Sequence, residues 1–130
     1  MASAEEALKA RLDGFAPLAT LIGTRTWAVK LPQNPVLPAV VLTRISTDRR
    51  ECMGASSGVV QARFQLSTKA ETVAAGEAVR VQLRAALNRW RGTSAGVVVQ
   101  DVFLENELEL WDEAALVHDL TLDVLAFYEE

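Results

Sequence analysis

The sequence contains one cysteine, Cys52, and one histidine, His118, among 130 residues. A single cysteine excludes an internal disulfide, so we expect the chain to work in a reducing compartment. A metal site at His118 would need further His, Cys or carboxylate ligands, and the neighbouring Asp119 points to the opposite face of the predicted strand. The glycines form neither a G-x-G-x-x-G nor a P-loop pattern. The sequence therefore predicts no metal, no cofactor and no catalytic residue.

Long apolar runs are also missing. No stretch of about 20 apolar residues is present, so we expect no transmembrane span and no membrane partner. The N-terminus carries Glu5 and Glu6 and no long apolar segment, which is unlike a secretory signal. Because 50% of the residues are hydrophobic, a disordered chain is excluded. This length suits one core, and we predict a single domain over residues 1–130.

Basic residues are missing from the C-terminal end. All 13 Lys and Arg lie before residue 101, together with seven of the 17 acidic residues. The other ten acids are Asp101, Glu105, Glu107, Glu109, Asp112, Glu113, Asp119, Asp123, Glu129 and Glu130. Two interpretations stay open at this point. The charges form solvated faces that aid solubility, or they form opposite surfaces that meet between copies of the chain.

The strongest periodic pattern is an amphipathic helix from Thr68 to Gly92. Thr68 and Glu71 have capping-box spacing at its start, and Gly92 suits a C-terminal cap. Gly76 lies on the apolar face, which indicates a close approach between helix and sheet. The residues predicted to share this face are Ala75, Gly76, Val79, Leu83, Ala86, Leu87 and Trp90.

The other elements are one helix from Ser3 to Gly14, a short helix from Pro17 to Gly23, and strands with period-two alternation. Ser3 and Glu6 have capping-box spacing at the start of the first helix. The predicted strands are Thr26–Leu31, Ala39–Ser46, Val59–Ser67, Val97–Phe103 continuing through Leu104–Asp112, and Leu116–Tyr128. Asn106 interrupts the apolar side of its strand, where Leu104, Leu108 and Leu110 alternate with glutamates, and it predicts a bulge. We expect an α+β fold with a mainly antiparallel sheet of about five strands, covered by the N-terminal and long central helices.

Two irregular stretches are predicted between these elements. Residues 32–38 hold three prolines and form an extended connection. Residues 47–58 form the longest irregular segment, at the tip of a hairpin. A long loop in a small domain is either mobile or functional.

Residues able to do chemistry are few. Cys52 lies near Arg49 and Arg50, which could lower its pKa, but it has no local histidine partner. His118 falls in an apolar series and is predicted to be a packed core residue. Three glutamates, at 105, 107 and 109, line one strand face; they either do acid–base work in a cleft, are solvated, or face a basic partner. The arginines along the helix suggest nucleic acid, but the acidic net charge and the lack of interleaved aromatics favour a solvated face or a protein interface. The residues alone predict a non-enzymatic interaction domain.

Three blocks of the sequence resemble one family. They are LPAVVL at 37–42 with Arg44-Ile45-Ser46, then VQARFQL at 60–66 leading into the alanine-rich helix, and LENE at 104–107 with Trp111-Asp112 and the last strand. Their order and spacing are similar to those of the tail completion proteins of long-tailed bacteriophages and prophage-derived particles, also called tail terminator or head–tail joining proteins. The chain departs from the family at Ala39, where an aromatic residue is common.

The resemblance implies a structural virion protein without enzyme activity or cofactor. It implies a ring, usually a hexamer, at the head-proximal end of the tail tube, which ends tube polymerisation and docks to the head–tail connector. The expected partners are further copies of the chain, the tail tube protein and a connector protein. Genomic DNA would pass through the lumen without sequence-specific binding, and assembly would take place in the host cytoplasm.

Given such a ring, we expect two sets of residues to act in assembly. A subunit interface would set a basic surface against the acidic strands of the next copy, and its candidates are Arg63, Arg80, Arg84, Glu105, Glu107, Glu109, Asp119 and Asp123. The 47–58 segment would reach the lumen or a stacked ring, through Asp48, Arg49, Arg50, Glu51 and Met53.

Three alternatives stay open at this stage. The first is another head–tail junction component, such as a head-completion or stopper protein. The second is a non-viral oligomeric α+β binding module, and the third is a small hydrolase that uses Cys52 or His118.

Overall fold

The computed structural model describes residues 3–23, 25–28, 36–52, 55–114 and 116–129. Three helices and one six-stranded sheet are formed by these residues. The helices are α1 (Ala4–Asp13), α2 (Ala16–Ile22) and α3 (Val73–Leu87). The strands are β1 (Thr26–Ala28), β2 (Ala39–Cys52), β3 (Ala55–Ala70), β4 (Gly92–Ser94), β5 (Val97–Asp112) and β6 (Val117–Glu129).

The sheet has the strand order β1-β2-β3-β6-β5-β4. All neighbours are antiparallel except β1 and β2, which are parallel. This confirms the predicted α+β class. The sheet has one strand more than expected because residues 92–94, predicted to be part of a loop, pair with Val97–Val99 as β4.

The core lies between the helices and one face of the sheet, which we call the helix face. Alternate residues of β3 and β6 point into it, including Phe64, Leu66, Leu122 and Val124, which are at most 1% exposed. The opposite side of the sheet is called the open face, since none of the described helices packs against it.

Helix α1 begins as predicted. The Ser3 hydroxyl accepts a hydrogen bond from the Glu6 backbone N–H at 3.2 Å and so caps the first turn. The following helix, α2, has proline in its first turn and ends before Gly23. Leu8, Leu12, Leu18 and Ile22 from these two helices are buried in the core.

Helix α3 is shorter than predicted at both ends. Thr72, not Thr68, is the N-cap, and its hydroxyl accepts from the Ala75 N–H at 3.1 Å. The predicted capping box of Thr68 and Glu71 is wrong because Thr68 continues the inward series of β3 and pairs with Val40 and Leu120. The helix ends at Leu87 because Arg89 has a positive φ of 55° and its N–H donates to the Val102 carbonyl at 2.8 Å. Gly92 therefore lies beyond the helix, in β4.

The predicted apolar face of α3 is largely confirmed. Gly76, Val79, Leu83, Ala86 and Leu87 are buried, whereas Ala75 and Trp90 are half-buried. The expected close approach at Gly76 is also present. A Cβ atom added there would lie 2.7 Å from Leu120 Cδ1 and 3.4 Å from Ala70 Cβ. Any larger residue at this position would have to displace the Leu120 side chain, because helix and strand are in contact.

Residues 47–58 lie at the end of a hairpin as predicted, but the prediction that they are irregular is wrong. Strand β2 continues to Cys52 and β3 begins at Ala55, so the segment is the end of a long hairpin, apart from Met53 and Gly54, which lie outside the described residues. Polar residues pair across two strands here as readily as apolar ones, because one face of an antiparallel ladder can be solvated. The last three residues of the predicted strand Thr26–Leu31, and 32–35 of the extended connection, also lie outside the described residues.

A bulge divides β5 and changes which face its side chains occupy. The register shifts between Leu104, which pairs with Val124, and Asn106, which pairs with Asp123. This confirms the bulge predicted at Asn106. Beyond it Leu108 pairs with Thr121 and Leu110 with Asp119, on the open face. The prediction that Leu104, Leu108 and Leu110 share one side is therefore wrong, because the extra residue reverses the alternation.

Candidate interaction surface

The bulge turns two glutamates of β5 toward helix α3. Glu107 and Glu109 pair with Leu122 and Leu120 of β6, which are helix-face residues. They meet two arginines one helical turn apart, Arg80 and Arg84. With Glu77 of α3, these residues form a charge cluster of two cations and three anions.

Arg80 is the centre of this cluster, and its side chain is only 6% exposed. Its Nη2 donates to Glu77 Oε2 at 2.5 Å and to Glu109 Oε1 at 2.9 Å, and its Nη1 donates to the Leu108 carbonyl at 3.3 Å. The buried Nε makes no hydrogen bond, and Glu107 Oε2 lies 3.8 Å from it. A buried cation of this kind is tolerated only with close carboxylates, which fixes the distal part of β5 to the helix.

Arg84 is a third exposed and makes the outer contacts of the cluster. Its Nη1 lies 2.7 Å from Glu107 Oε1 and its Nη2 lies 3.5 Å from Glu77 Oε1. The hydrogen bond with Glu107 raises the pKa of Arg84 above its ordinary value, which stabilises the charged guanidinium.

Further ion pairs cross the open face. Arg63 of β3 bonds Glu105, the extra residue at the bulge of β5. Lys69 Nζ lies 2.5 Å from Asp119 Oδ2, and Ser67 Oγ donates to Asp119 Oδ1 at 2.7 Å. Asp123 is half-buried on the same face, where it pairs with Gln65 of β3 on one side and Asn106 of β5 on the other.

The predicted interface residues are thus paired within one chain. The structure joins Arg80, Arg84, Glu107 and Glu109 in one cluster, Arg63 with Glu105 in a second contact, and Asp119 with Lys69 in a third. Asp123 is not part of these pairs. Their role at a subunit interface stays a prediction, and a neighbouring copy would have to compete with bonds already formed inside the chain.

The residues predicted to reach a lumen, apart from Met53, which lies outside the described residues, are the last residues of β2 in its hairpin with β3. Asp48 pairs with Gln61 and Arg49 with Val60, while Glu51 stands opposite Ser56. Strand β6 covers β3 only as far as Val59, which pairs with Glu129. The described residues of the hairpin beyond that point, 50–52 and 55–57, are called the arm. Their ladder pairs link only the two strands of the hairpin.

The turn between β5 and β6 is bordered by exposed apolar side chains. Leu110, Trp111 and Leu116 are 57%, 50% and 67% exposed. The Trp111 ring lies 4.8 Å from the His118 ring at a tilt of 59°. His118 is therefore half-buried against an exposed tryptophan instead of lying in the core as predicted. No group of three or more metal-binding side chains occurs in the described ranges, and none of their helices is long and apolar enough to cross a bilayer.

Two charged contacts were not predicted. Arg44 of β2 bonds Glu5 of α1 and lies over the Phe64 ring at 5.3 Å. Burial alone would lower the pKa of Arg44, but the hydrogen bonds and charge interactions with Glu5 and Tyr128 together outweigh it, and the pKa is raised. Arg89 donates to both oxygens of Asp101, at 3.0 and 2.7 Å. The contact between Arg44 and Glu5 could not be predicted because the two residues are far apart in the sequence. The contact between Arg89 and Asp101 depends on the turn at Arg89, which no sequence pattern predicts.

The comparisons with known proteins decide the class of the protein. The model of the family "Tail completion protein gp17" matches residues 6–129, nearly the whole chain. The chain belongs to this family. The protein is therefore a structural component of a phage-type tail and is located in the virion.

The fold is shared with a solved virion protein. A chain in the structure "Virion of native gene transfer agent (GTA) particle" is similar with a TM-score of 0.76 and 17% sequence identity, over 98% of this chain and 96% of that chain. No curated protein sequence matches this one. Membership of a tail completion family does not support the non-viral module or the hydrolase.

Proposed function

We propose that the protein forms a ring, with six copies as the expected number, at the head-proximal end of the tail tube. The ring ends polymerisation of the tube protein and docks to the head–tail connector, and genomic DNA passes through its lumen without sequence-specific contacts. The observation that carries this proposal is the family match over residues 6–129. The segregation of charge along the chain supports it, because a cyclic ring joins two different patches of each copy.

Removal of the protein tests this function directly. In particles assembled without it, we expect full heads separated from tails, and tails of abnormal and variable length, in electron micrographs. Supplying the protein should restore joined particles with tails of uniform length. Joined particles of normal tail length in its absence would contradict the proposal.

The same experiment distinguishes a tail terminator from the closest alternative, a head-completion or stopper protein. Loss of that class of protein would leave tails of normal length beside heads that lose their DNA. Tail length is therefore the deciding measurement, since only a terminator acts on the tube itself.

The arm is the proposed contact to a stacked ring or to the lumen. Replacing residues 51–56 by a two-residue Asn-Gly turn shortens the arm and leaves the ladder between β3 and β6 intact. We expect an unchanged melting temperature and loss of head–tail joining. Normal joining by a folded variant would exclude the role, and loss of the fold would show that the arm is needed for stability.

Charge reversal tests the proposed basic surface of the interface. Arg84→Glu is preferable to a change at Arg80, since Arg84 is partly exposed and Arg80 is buried. We expect rings of the variant to dissociate at lower salt than the parent, with Arg91→Glu as a control at an arginine that is 67% exposed and outside the cluster. Equal salt resistance of both variants and the parent would remove Arg84 from the interface.

A further inference from the structure

Within the described part of the chain, the outer long strand on each side of the sheet, β2 or β5, has an outer neighbour over only three residues. Among the described residues, β1 lies beside β2 only at Val40–Leu42, and β4 lies beside β5 only at Val97–Val99. Beyond these points each strand has one described ladder partner, β3 or β6. We call residues 43–50 the β2 edge and residues 103–112 the β5 edge.

The β5 edge presents backbone groups that point away from the sheet. The Arg89 N–H bonds the Val102 carbonyl from outside the sheet, so the peptide groups of Val102 point away from β6. Val102 pairs with Ala126, and beyond the bulge Glu107 and Glu109 pair with Leu122 and Leu120, which are alternate residues of the same strand. The peptide groups of Glu107 and Glu109 therefore point outward as well. Such an edge is a template for another strand.

Strand direction allows the two edges to meet. β2, β3, β6 and β5 are antiparallel in succession, so β2 and β5 run in opposite directions at the two sides of the sheet. Copies in a ring keep the same orientation about its axis. The β5 edge of one copy would therefore stand antiparallel to the β2 edge of the next.

The charges of the two edges are complementary. The β2 edge carries Arg44, Arg49 and Arg50 against Asp48, a formal charge of 3 − 1 = +2. The β5 edge carries no Lys or Arg, and its four acids, Glu105, Glu107, Glu109 and Asp112, give −4. Part of this charge is balanced within each chain, since Arg44 is paired with Glu5 and the three glutamates are paired with arginines of β3 and α3. Opposite charges favour pairing of unlike edges, and the acids oppose pairing of two β5 edges.

We propose that the β5 edge of one copy pairs antiparallel with the β2 edge of the next copy, joining their sheets around the ring. This inference rests on the proposed ring and specifies the backbone contact that holds it together. With this contact, the acidic third of the chain keeps its internal ion pairs, because the strands are joined by their peptide groups.

Cysteine cross-linking in purified particles tests the contact. All variants carry Cys52→Ser, so that the native cysteine cannot react. Ile45→Cys on the β2 edge is combined with Leu108→Cys on the β5 edge, or with Leu110→Cys to test a second register. The native residues Ile45, Leu108 and Leu110 are 53%, 47% and 57% exposed. Mild oxidation should give a ladder of covalent oligomers for at least one pair, and none for the single variants. The control pair is Val81→Cys with Leu108→Cys, since Val81 is 41% exposed on α3 and lies on neither edge.

The outcomes separate this inference from the proposed function. Intact joined particles in which neither edge pair cross-links would overturn the edge contact and leave the terminator function standing. A dimer from Leu108→Cys alone would show pairing of two β5 edges and would also overturn it. Cross-linking to the tube protein would assign the edge to that partner instead. Absence of any ring of this protein on the particle would overturn both proposals.

Discussion

The two halves of strand β5 are attached to the same helix by different forces. Before the bulge, Val99 and Val102 are at most 3% exposed and pack in the apolar core. After the bulge, the residues facing α3 are Glu107 and Glu109, which are exposed and bind Arg80 and Arg84. One inserted residue reverses the alternation, so the apolar side chains of the second half, Leu108 and Leu110, are left on the open face. The first half therefore stabilises the fold, and the second half leaves an edge and apolar side chains available to other chains.

The largest effect is expected in the apolar core that the first half of β5 joins, tested at Leu122 of the neighbouring strand β6. Leu122→Ala should lower the free energy of unfolding by about 2–5 kcal/mol, because Leu122 is 1% exposed and its loss leaves a cavity. Leu110→Ala is the matched control, since that side chain is 57% exposed and should change stability by less than about 0.5 kcal/mol. Urea unfolding of both variants measures this. Equal losses would mean that Leu110, in the second half of β5, is packed as tightly as the core.

A smaller loss is expected at the contact between α3 and β6. Gly76→Val should destabilise by about 1–3 kcal/mol, since the new Cβ would stand 2.7 Å from Leu120 Cδ1 and Leu120 is 1% exposed. The double variant Gly76→Val with Leu120→Ala should recover part of this loss. No recovery would show that the helix position is strained for another reason.

In the second half of β5, which is held by ion pairs, we expect the loss of stability to depend on which arginine is removed. Arg80→Met removes the buried cation and leaves three half-exposed glutamates close together, so we expect a loss of about 1–3 kcal/mol in thermal unfolding. Arg84→Met, which removes a partly exposed arginine from the same cluster, should cost about 0.2–1 kcal/mol. A larger cost at Arg84 than at Arg80 would reverse the assignment of the cluster's centre.

The smallest effect on stability is expected at Asp101, which lies in the first half of β5. Burial alone would raise its pKa, but hydrogen bonds from Arg89 and from the Val102 N–H lower it below the ordinary value. A lowered pKa in the folded state contributes stability that is present above the unfolded pKa of about 4 and is lost as the pH falls further. The stability difference between the parent and Asp101→Asn should be greatest near neutral pH and shrink below about pH 4. A difference that does not depend on pH would remove the charge from the explanation.

The sequence predicted those parts of the fold that rest on local periodicity. The apolar face of α3, the close approach at Gly76, the Ser3 cap and the inward series of β3 and β6 all follow from neighbours three, four or two residues apart. The errors fall where long-range pairing overrides local signals. Thr68 looks like a cap but continues a strand, and the polar residues after Ser46 look like a loop but pair across a hairpin.

The candidate site was predicted only in part. The arginines and glutamates were predicted to pair with each other between neighbouring copies. Because of the bulge, Glu107 and Glu109 pair with arginines of their own chain. The position of the bulge at Asn106 was visible in the sequence, yet its consequence, the turning of Glu107 and Glu109 toward their own helix, depends on the register with β6. The burial of Arg80 could not be predicted either, because the helix pattern alone places it on the flank of the apolar face.

Hydrogen exchange compared between dissociated subunits and assembled particles tests the central claim most directly. We predict that amides in residues 43–50 and 103–112 exchange more slowly after assembly, with Glu107 and Glu109 among them, while the exposed side of α3 is unchanged. Unchanged exchange at both edges, with new protection on the helices, would contradict the account and place the contact between copies on the helical layer.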